Sequence, residues 1–180
     1  AFLGGEATKI IQQHRKPVLV VKMKVLEDKG TVTCEAGCLN ETGRILYATD
    51  FSDTAQLAFA YVEKMVESGW KKVTLLHVQD SQKIDRHLKD RLDEFNTIDA
   101  ERLQMLKDQL VKKGAADVEI VIPYGLPAQE IIKVSRKDNF SIIVMGSQGR
   151  GFADEIFLGS VSHNVVRQAD VPVLLIPALR

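Results

Sequence analysis

An excess of charge of either sign is missing from this chain. Its 180 residues carry 24 Lys plus Arg against 24 Asp plus Glu, a formal net charge of zero. No broad field therefore draws it to nucleic acid or to anionic lipid. No apolar run approaches the roughly 18 residues of a membrane span, and no basic stretch precedes an apolar core as in a signal peptide, so the expected location is the cytoplasm and no membrane partner is expected. Cysteine is nearly absent. Cys34 and Cys38 stand in a polar segment with no second Cys or His pair to complete a zinc quartet, and stable cytosolic disulfides are rare, so reduced thiols are expected. With 45% hydrophobic and 27% charged residues the chain otherwise reads as an ordinary globular sequence, long enough for one full domain plus a remainder.

Comparing the chain with itself reveals one internal match. Residues 2–21 (FLGGEATKIIQQHRKPVLVV) align without gaps to residues 157–176 (FLGSVSHNVVRQADVPVLLI) at a constant offset of 155, with seven of twenty positions identical. Both segments read as a helix followed by a strand, and a repeat of domain length is the economical explanation. The expected organisation is 1–23 as the terminal helix and strand of a preceding, truncated copy, 24–43 as a linker, and 44–180 as a complete domain.

In the complete copy, Ile45 to Ala48 is a continuous apolar run ending at Thr49-Asp50, the pattern of a strand buried on both faces. Ser52 offers an N-cap to a helix with apolar residues at Ala55, Ala58, Val62, Met65 and Val66, and Gly69 stops it. A second apolar run spans 73–78. Ile84, Leu88, Leu92, Phe95, Leu103, Leu106 and Leu110 mark one face of a long charged helix over 84–113, with a break expected near Asn96-Thr97. Residues 118–122 partly alternate, as at a sheet edge, and Pro127 suits a first helical turn. A strand over 140–145, a helix facing inward with Val161, Val165, Val166 and Ala169, and a strand over 173–176 complete the order. Strict alternation of this kind predicts an α/β fold: a doubly wound five-stranded parallel sheet with helices on both faces, which binds ligands beyond the carboxyl ends of its strands at the switch point. If the first and fourth of those strands are neighbours, Asp50 faces the glycines that follow Met145.

Those glycines lie in VMGSQGRGFADEIFLGSVS, residues 144–162, between a buried strand and a helix start. Such a loop exposes backbone N–H groups, and the helix adds its unpaired amides and the positive end of its dipole, so a phosphate is a natural guest. The loop carries one cation, Arg150. It lacks the G-x-x-x-x-G-K-[ST] pattern and its lysine, so fast phosphoryl transfer is not indicated. Gly149-x-Gly151 is followed three residues later by Asp154, so the dinucleotide fingerprint fails as well. Taken singly, Gly146 could end a strand and Gly159-Ser160 could cap a helix; together, and opposite Asp50, they favour a binding site. Asp154 and Glu155 read as exposed acids at a helix start, and no residue is assigned to a metal. His77 reads as a hydrogen-bonded core residue, while His14, His87 and His163 have no visible nucleophile beside them, so no catalytic residue is proposed.

The spacing Gly146-x2-Gly149-x9-Gly159-Ser160, the opening ILYATDFS, the strand LLHV and the closing PVLLIP resemble the universal stress protein family, in particular its ATP-binding branch, over 44–177. The N-terminal fragment resembles the end of another such domain, as in tandem members. The resemblance implies an adenine nucleotide alpha hydrolase-like fold and ATP, ADP or AMP as ligand, with Mg²⁺ only as the companion of a triphosphate. By the same resemblance Asp50 would contact the adenosine part, Val78 would offer backbone contacts to adenine, Met145 and Gly146 would flank adenine and ribose, and Gly149, Gly159, Ser160, Val161 and Ser162 would line the phosphates. Gln148 stands where relatives often have His, and Ala48 replaces a frequent Pro or Val. In the fragment Gly5 stands in the place of Ser160, so one site per chain is expected. Fifth strands in the family commonly pair across a dimer; antiparallel pairing of 17–23 with 171–177, within one chain or between molecules, would cover an apolar edge. The implied function is a stress-response regulator that binds nucleotide, hydrolyses it slowly at most, and acts on a partner the residues do not name. The alternatives are a nucleotide-free dimerisation scaffold and a related adenine nucleotide hydrolase. The latter calls for a Ser-Gly-Gly-x-Asp-Ser loop where Ala48-Thr49-Asp50-Phe51-Ser52 stands, and a phospho-acceptor receiver would rest on Asp50 alone.

Overall fold

The computed structural model describes residues 9, 11, 15–28, 31–36, 43–87, 91–137, 139–149 and 158–178. Gly5, His14, Cys38, Leu88, Arg150, Gly151, Asp154 and Glu155 lie outside them. In chain order the elements are β1 (Val18–Val20), β2 (Met23–Asp28), β3 (Thr31–Ala36), β4 (Arg44–Ala48), α1 (Asp53–Glu67), β5 (Lys72–Leu76), β6 (Gln79–Asp80), α2 (Ser81–His87), α3 (Leu92–Lys112), β7 (Asp117–Val121), β8 (Tyr124–Gly125), α4 (Pro127–Ser135), β9 (Phe140–Gly146), α5 (Ser160–Gln168) and β10 (Val173–Ile176).

Strands that are apolar at successive positions need cover on both faces, because neighbouring side chains point to opposite sides of the sheet. Ile45, Tyr47, Val73, Leu75, Ile142 and Val144 share one core with Phe59, Val62 and Val66 of α1 and Leu103 and Leu110 of α3. Leu46, Ala48, Leu76, Ile143 and Met145 share the other with Ile131 and Ile132 of α4 and Val165 and Val166 of α5. Each fully buried aliphatic side chain contributes about 1.5–3 kcal/mol relative to an exposed one. The helices therefore lie on both faces, as the alternation predicts.

The sheet order is β1-β10-β9-β4-β5-β7. The run from β10 to β7 is parallel throughout. β7 occupies an edge, in keeping with its partly alternating sequence. The expected five-stranded parallel sheet is corrected to a six-stranded mixed one, because β1 adds antiparallel to the outer edge of β10. That edge would otherwise leave the backbone groups of a buried apolar strand open. In this pairing Leu19 lies opposite Leu174, which is also its counterpart at the offset of 155, and Val18 and Val20 pair with Leu175 and Val173 on either side. The 24–43 segment contains most of an antiparallel hairpin, β2 against β3.

Local chemistry sets several boundaries. The Ser52 side chain accepts the Ala55 N–H at 3.3 Å and starts α1. Gly69, at φ 126°, takes the left-handed turn that ends it. The expected break at Asn96-Thr97 is not found: α3 runs through both residues, and the Thr97 hydroxyl bonds back to the Asp93 carbonyl at 2.9 Å. The hydroxyl thereby works within the helix instead of competing with it. At the N-terminal ends of the strands, Arg44 pairs with Asp117 and, at 3.5 Å, with Glu119. Among the described residues no helix is long and apolar enough to cross a membrane.

Candidate functional site

The switch point lies between β4 and β9, adjacent parallel strands with Ala48 opposite Met145. The helix after β4 packs on one face of the sheet and the helix after β9 on the other. Their opposite departures open a cleft beyond the strand ends, where open α/β sheets bind ligands. The cleft has a volume of about 220 Å³, a little under the roughly 300–1,000 Å³ usual for small-molecule sites. All nine residues singled out from the sequence line it: Asp50, Val78, Met145, Gly146, Gly149, Gly159, Ser160, Val161 and Ser162.

Asp50 is set by the turn that leaves β4. Its Oδ1 accepts the Ser52 N–H at 3.1 Å, and the Phe51 N–H donates to Thr49 Oγ1 at 2.9 Å. Its Oδ2 lies so near Gly149 that a Cβ there would stand 2.6 Å away. Gly146 is packed against α1: a Cβ would lie 3.1 Å from the backbone carbon of Thr54. The two glycines thus serve close approach, one to a carboxylate and the other to a helix.

The start of α5 supplies the polar wall. Its N-cap is Gly159, at an ordinary φ of −60°, with no side-chain cap. The Gly159 N–H is used by the Ser147 carbonyl at 2.8 Å. The N–H groups of Ser160, Val161 and Ser162 have no intrahelical acceptor, as in any first turn, and here no capping side chain takes their place. The two serines differ in role. Ser162 is buried at 2% exposure, and its hydroxyl already lies 2.7 Å from the Ser147 carbonyl and 2.9 Å from that of Gly159. It staples the strand end to the helix start, and its backbone N–H is what it can offer a ligand. Ser160 is exposed, and its hydroxyl makes no hydrogen bond among the described residues.

Sequence reasoning missed other parts of the surroundings. Lys83 reaches the cleft from α2, its side chain 76% exposed and its Nζ 3.6 Å from Asp80 Oδ2. No spacing signalled it, because a short helix after a two-residue strand leaves no periodic trace. Thr49, Leu76, Pro127, Ile131 and Gln148 also line its walls. Behind the cleft, Asp99 is 8% exposed; its Oδ2 accepts Gln79 Nε2 at 2.8 Å and lies 3.4 Å from His77 Nε2. It could have been found, since it interrupts the apolar stripe from Phe95 to Leu103 at a core position. His77 Nδ1 is 2.8 Å from the Thr49 carbonyl, which can only accept, so this nitrogen carries the proton. The histidine is a hydrogen-bonded structural residue, as its apolar setting suggested. Tyr47, beneath the turn, donates to the Ala55 carbonyl at 2.7 Å, and burial pushes its phenol well above the ordinary value.

The family model for the universal stress proteins matches residues 41–177. Universal stress protein MJ0577 of Methanocaldococcus jannaschii is 33% identical over 151 residues, covering 74% of this chain and 93% of that protein. Universal stress protein YxiE of Bacillus subtilis is 28% identical over 147 residues, covering 74% and 97%. The solved structure of MJ0577 superposes with a TM-score of 0.67 over 77% of this chain and 98% of its own. A universal stress protein solved in complex with cAMP superposes with a TM-score of 0.58 at 20% identity, over 76% and 97%, a likeness of fold alone. With a family model matched across most of its length and a relative one third identical, the chain belongs to the universal stress protein family.

Proposed function

We propose that the cleft binds an adenine nucleotide and that the protein is a regulatory binder of the stress-response type. Adenine and ribose would lie against Asp50, Val78, Met145 and Gly146, and the phosphates against Gly149, Gly159, Ser160, Val161 and Ser162. The observation that carries this reading is the uncapped start of α5, which brings three backbone N–H groups and a Ser160 hydroxyl with no partner among the described residues to the cleft at the strand ends. A bound adenine nucleotide occurs on this fold in the universal stress protein solved with cAMP. Hydrolysis would be slow at most: among the described residues lining the cleft, Asp50 and Lys83 are the only titratable groups, and neither stands in the arrangement of a phosphotransferase.

A thermal-shift series with ATP, ADP, AMP and adenosine tests the reading. At 100 times its dissociation constant a ligand stabilises the fold by about 2.7 kcal/mol, a rise of about 5–11 °C for a chain of this size. No rise with any of the four at millimolar concentration overturns it.

The repeat is proposed on separate grounds. A two-fold relation between two copies would set each residue of a central pair opposite its own counterpart, and Leu19 opposite Leu174 has that register. On this reading 1–23 takes the place that a second copy's last strand would take. Deleting 1–23 should open the β10 edge and shift the protein toward dimers in light scattering; a monomer at all concentrations would count against it.

A further inference from the structure

A second cavity, of about 460 Å³, opens on the other face of the sheet, between α1 and α3. Its walls are the rings of Tyr47, Phe51 and Phe59 with the side chains of Leu106 and Met105. Phe51 is held there at φ 59°, a left-handed conformation that strains a bulky residue and that glycine would adopt freely. Its ring lies 4.7 Å from that of His77, and the Arg102 guanidinium sits 5.2 Å over it. Met105, 58% exposed, stands at the mouth, where a flexible thioether can adapt to a guest.

The polar groups of this cavity select the guest further. Besides lying over Phe51, Arg102 makes one side-chain hydrogen bond among the described residues, 3.4 Å from Nη1 to Asp99 Oδ1, and its side chain is 46% exposed. Gln56 and Gln109 line the same cavity, and their amides make no side-chain hydrogen bond among the described residues. Among the described residues that line the cavity there is no carboxylate. Aromatic walls suit a planar apolar body, and one guanidinium flanked by amides suits one carboxylate, which it can hold bidentately. We propose that this cavity is a second binding site, for a small aromatic carboxylate.

The two cavities meet at Thr49, which lines both. The turn after β4 presents Asp50 to the cleft and Phe51 to the second cavity. A ligand that shifts this turn on one side therefore alters the other side, and the coupling must be reciprocal. This coupling, unlike the second site itself, rests on the nucleotide reading above.

The test uses the full chain, with indole-3-acetate and its uncharged analogue indole-3-acetamide as probes, followed by calorimetry and by backbone amide chemical shifts. The acetate should bind saturably, about tenfold tighter than the amide, with shifts centred on Phe51 and on α3 near Arg102. Arg102→Gln, at an exposed position, should bring the acetate down to the affinity of the amide. Phe51→Gly should keep the fold, because glycine takes φ 59° without strain, and should lose both probes. Absence of saturable binding, shifts centred on the start of α5, or unchanged affinity in Arg102→Gln overturns the proposal. Saturating AMP should change the affinity for indole-3-acetate, and indole-3-acetate should change that for AMP by the same factor; AMP binding with no such change overturns the coupling. If AMP binds and indole-3-acetate does not, this site fails while the nucleotide reading stands. The reverse result sinks the nucleotide reading and supports this site.

Discussion

Gly149→Ala and Gly146→Ala place the same methyl group on two walls of one cleft, and they should separate loss of binding from loss of stability. At Gly149 the new carbon would stand 2.6 Å from Asp50 Oδ2, inside the 3.4 Å at which ordinary contact begins; the next atom, Asp50 Cγ, is at 3.7 Å. Only a partly exposed carboxylate has to turn away, so stability should change by less than about 0.5 kcal/mol, as for most surface substitutions. It can turn with Oδ1 still on the Ser52 N–H, but Oδ2 must leave the place it holds in the cleft. A hydrogen bond to a charged group is worth about 1.5–3 kcal/mol, so affinity for AMP should fall about 10- to 150-fold. At Gly146 the methyl would meet Thr54 at 3.0 Å from Cγ2 and 3.1 Å from its backbone carbon. The first turn of α1 cannot swing aside as a carboxylate can. Overpacking of this kind costs about 1–3 kcal/mol, a fall in melting temperature of about 2–12 °C. Calorimetry with AMP and thermal melts on both variants decide the matter. AMP affinity in Gly149→Ala within about twofold of wild type would refute the role given to Asp50. A melt as low as that of Gly146→Ala would refute the account of the space around Gly149.

Ser52→Ala removes the cap of α1 and should cost about 1 kcal/mol, a drop of about 2–4 °C in a thermal melt. Asp99→Ala leaves the Gln79 amide, 4% exposed, without its acceptor and should cost about 1–3 kcal/mol in urea unfolding. Tyr47→Phe should cost about 1 kcal/mol near neutral pH through the lost bond to Ala55. Its alkaline behaviour follows from sign: burial raises the Tyr47 pKa above the ordinary 10.0, so the folded state holds the phenol proton more tightly than the unfolded chain. That contribution is complete below pH 10 and fades as pH rises toward the folded value. Wild type should therefore lose stability more steeply than Tyr47→Phe above pH 10, and parallel alkaline limbs would exclude the phenol as the cause.

Some parts of the fold and site are legible in the residues alone. Ile45 to Ala48 and Ile142 to Met145 are apolar without a break, and only strands covered twice have that need. Gly146, Gly149 and Gly159 were readable because a missing side chain in a strand-to-helix loop announces close approach. The Asn96-Thr97 break was misread because a threonine hydroxyl can satisfy its own helix. Lys83 was invisible, since a single exposed lysine carries no period. The free Ser160 and the stapled Ser162 look alike as letters and differ only in what stands within 3 Å of each hydroxyl.

The sequence by itself determined the alternation of strands and helices, the two-faced burial of the central strands, the glycine spacing beside Asp50 and the match between the segment of β1 and that of β10. Those features are local, or are matches of one segment to another, and need no knowledge of what lies alongside. Only the tertiary structure decided that β1 closes the β10 edge, that Lys83 reaches the cleft, and that Thr49 is shared by two cavities on opposite faces of the sheet. These depend on which strand edges and helix faces meet across long separations in the chain. That choice is made by burial and backbone pairing of the whole domain, and no short stretch of residues records it.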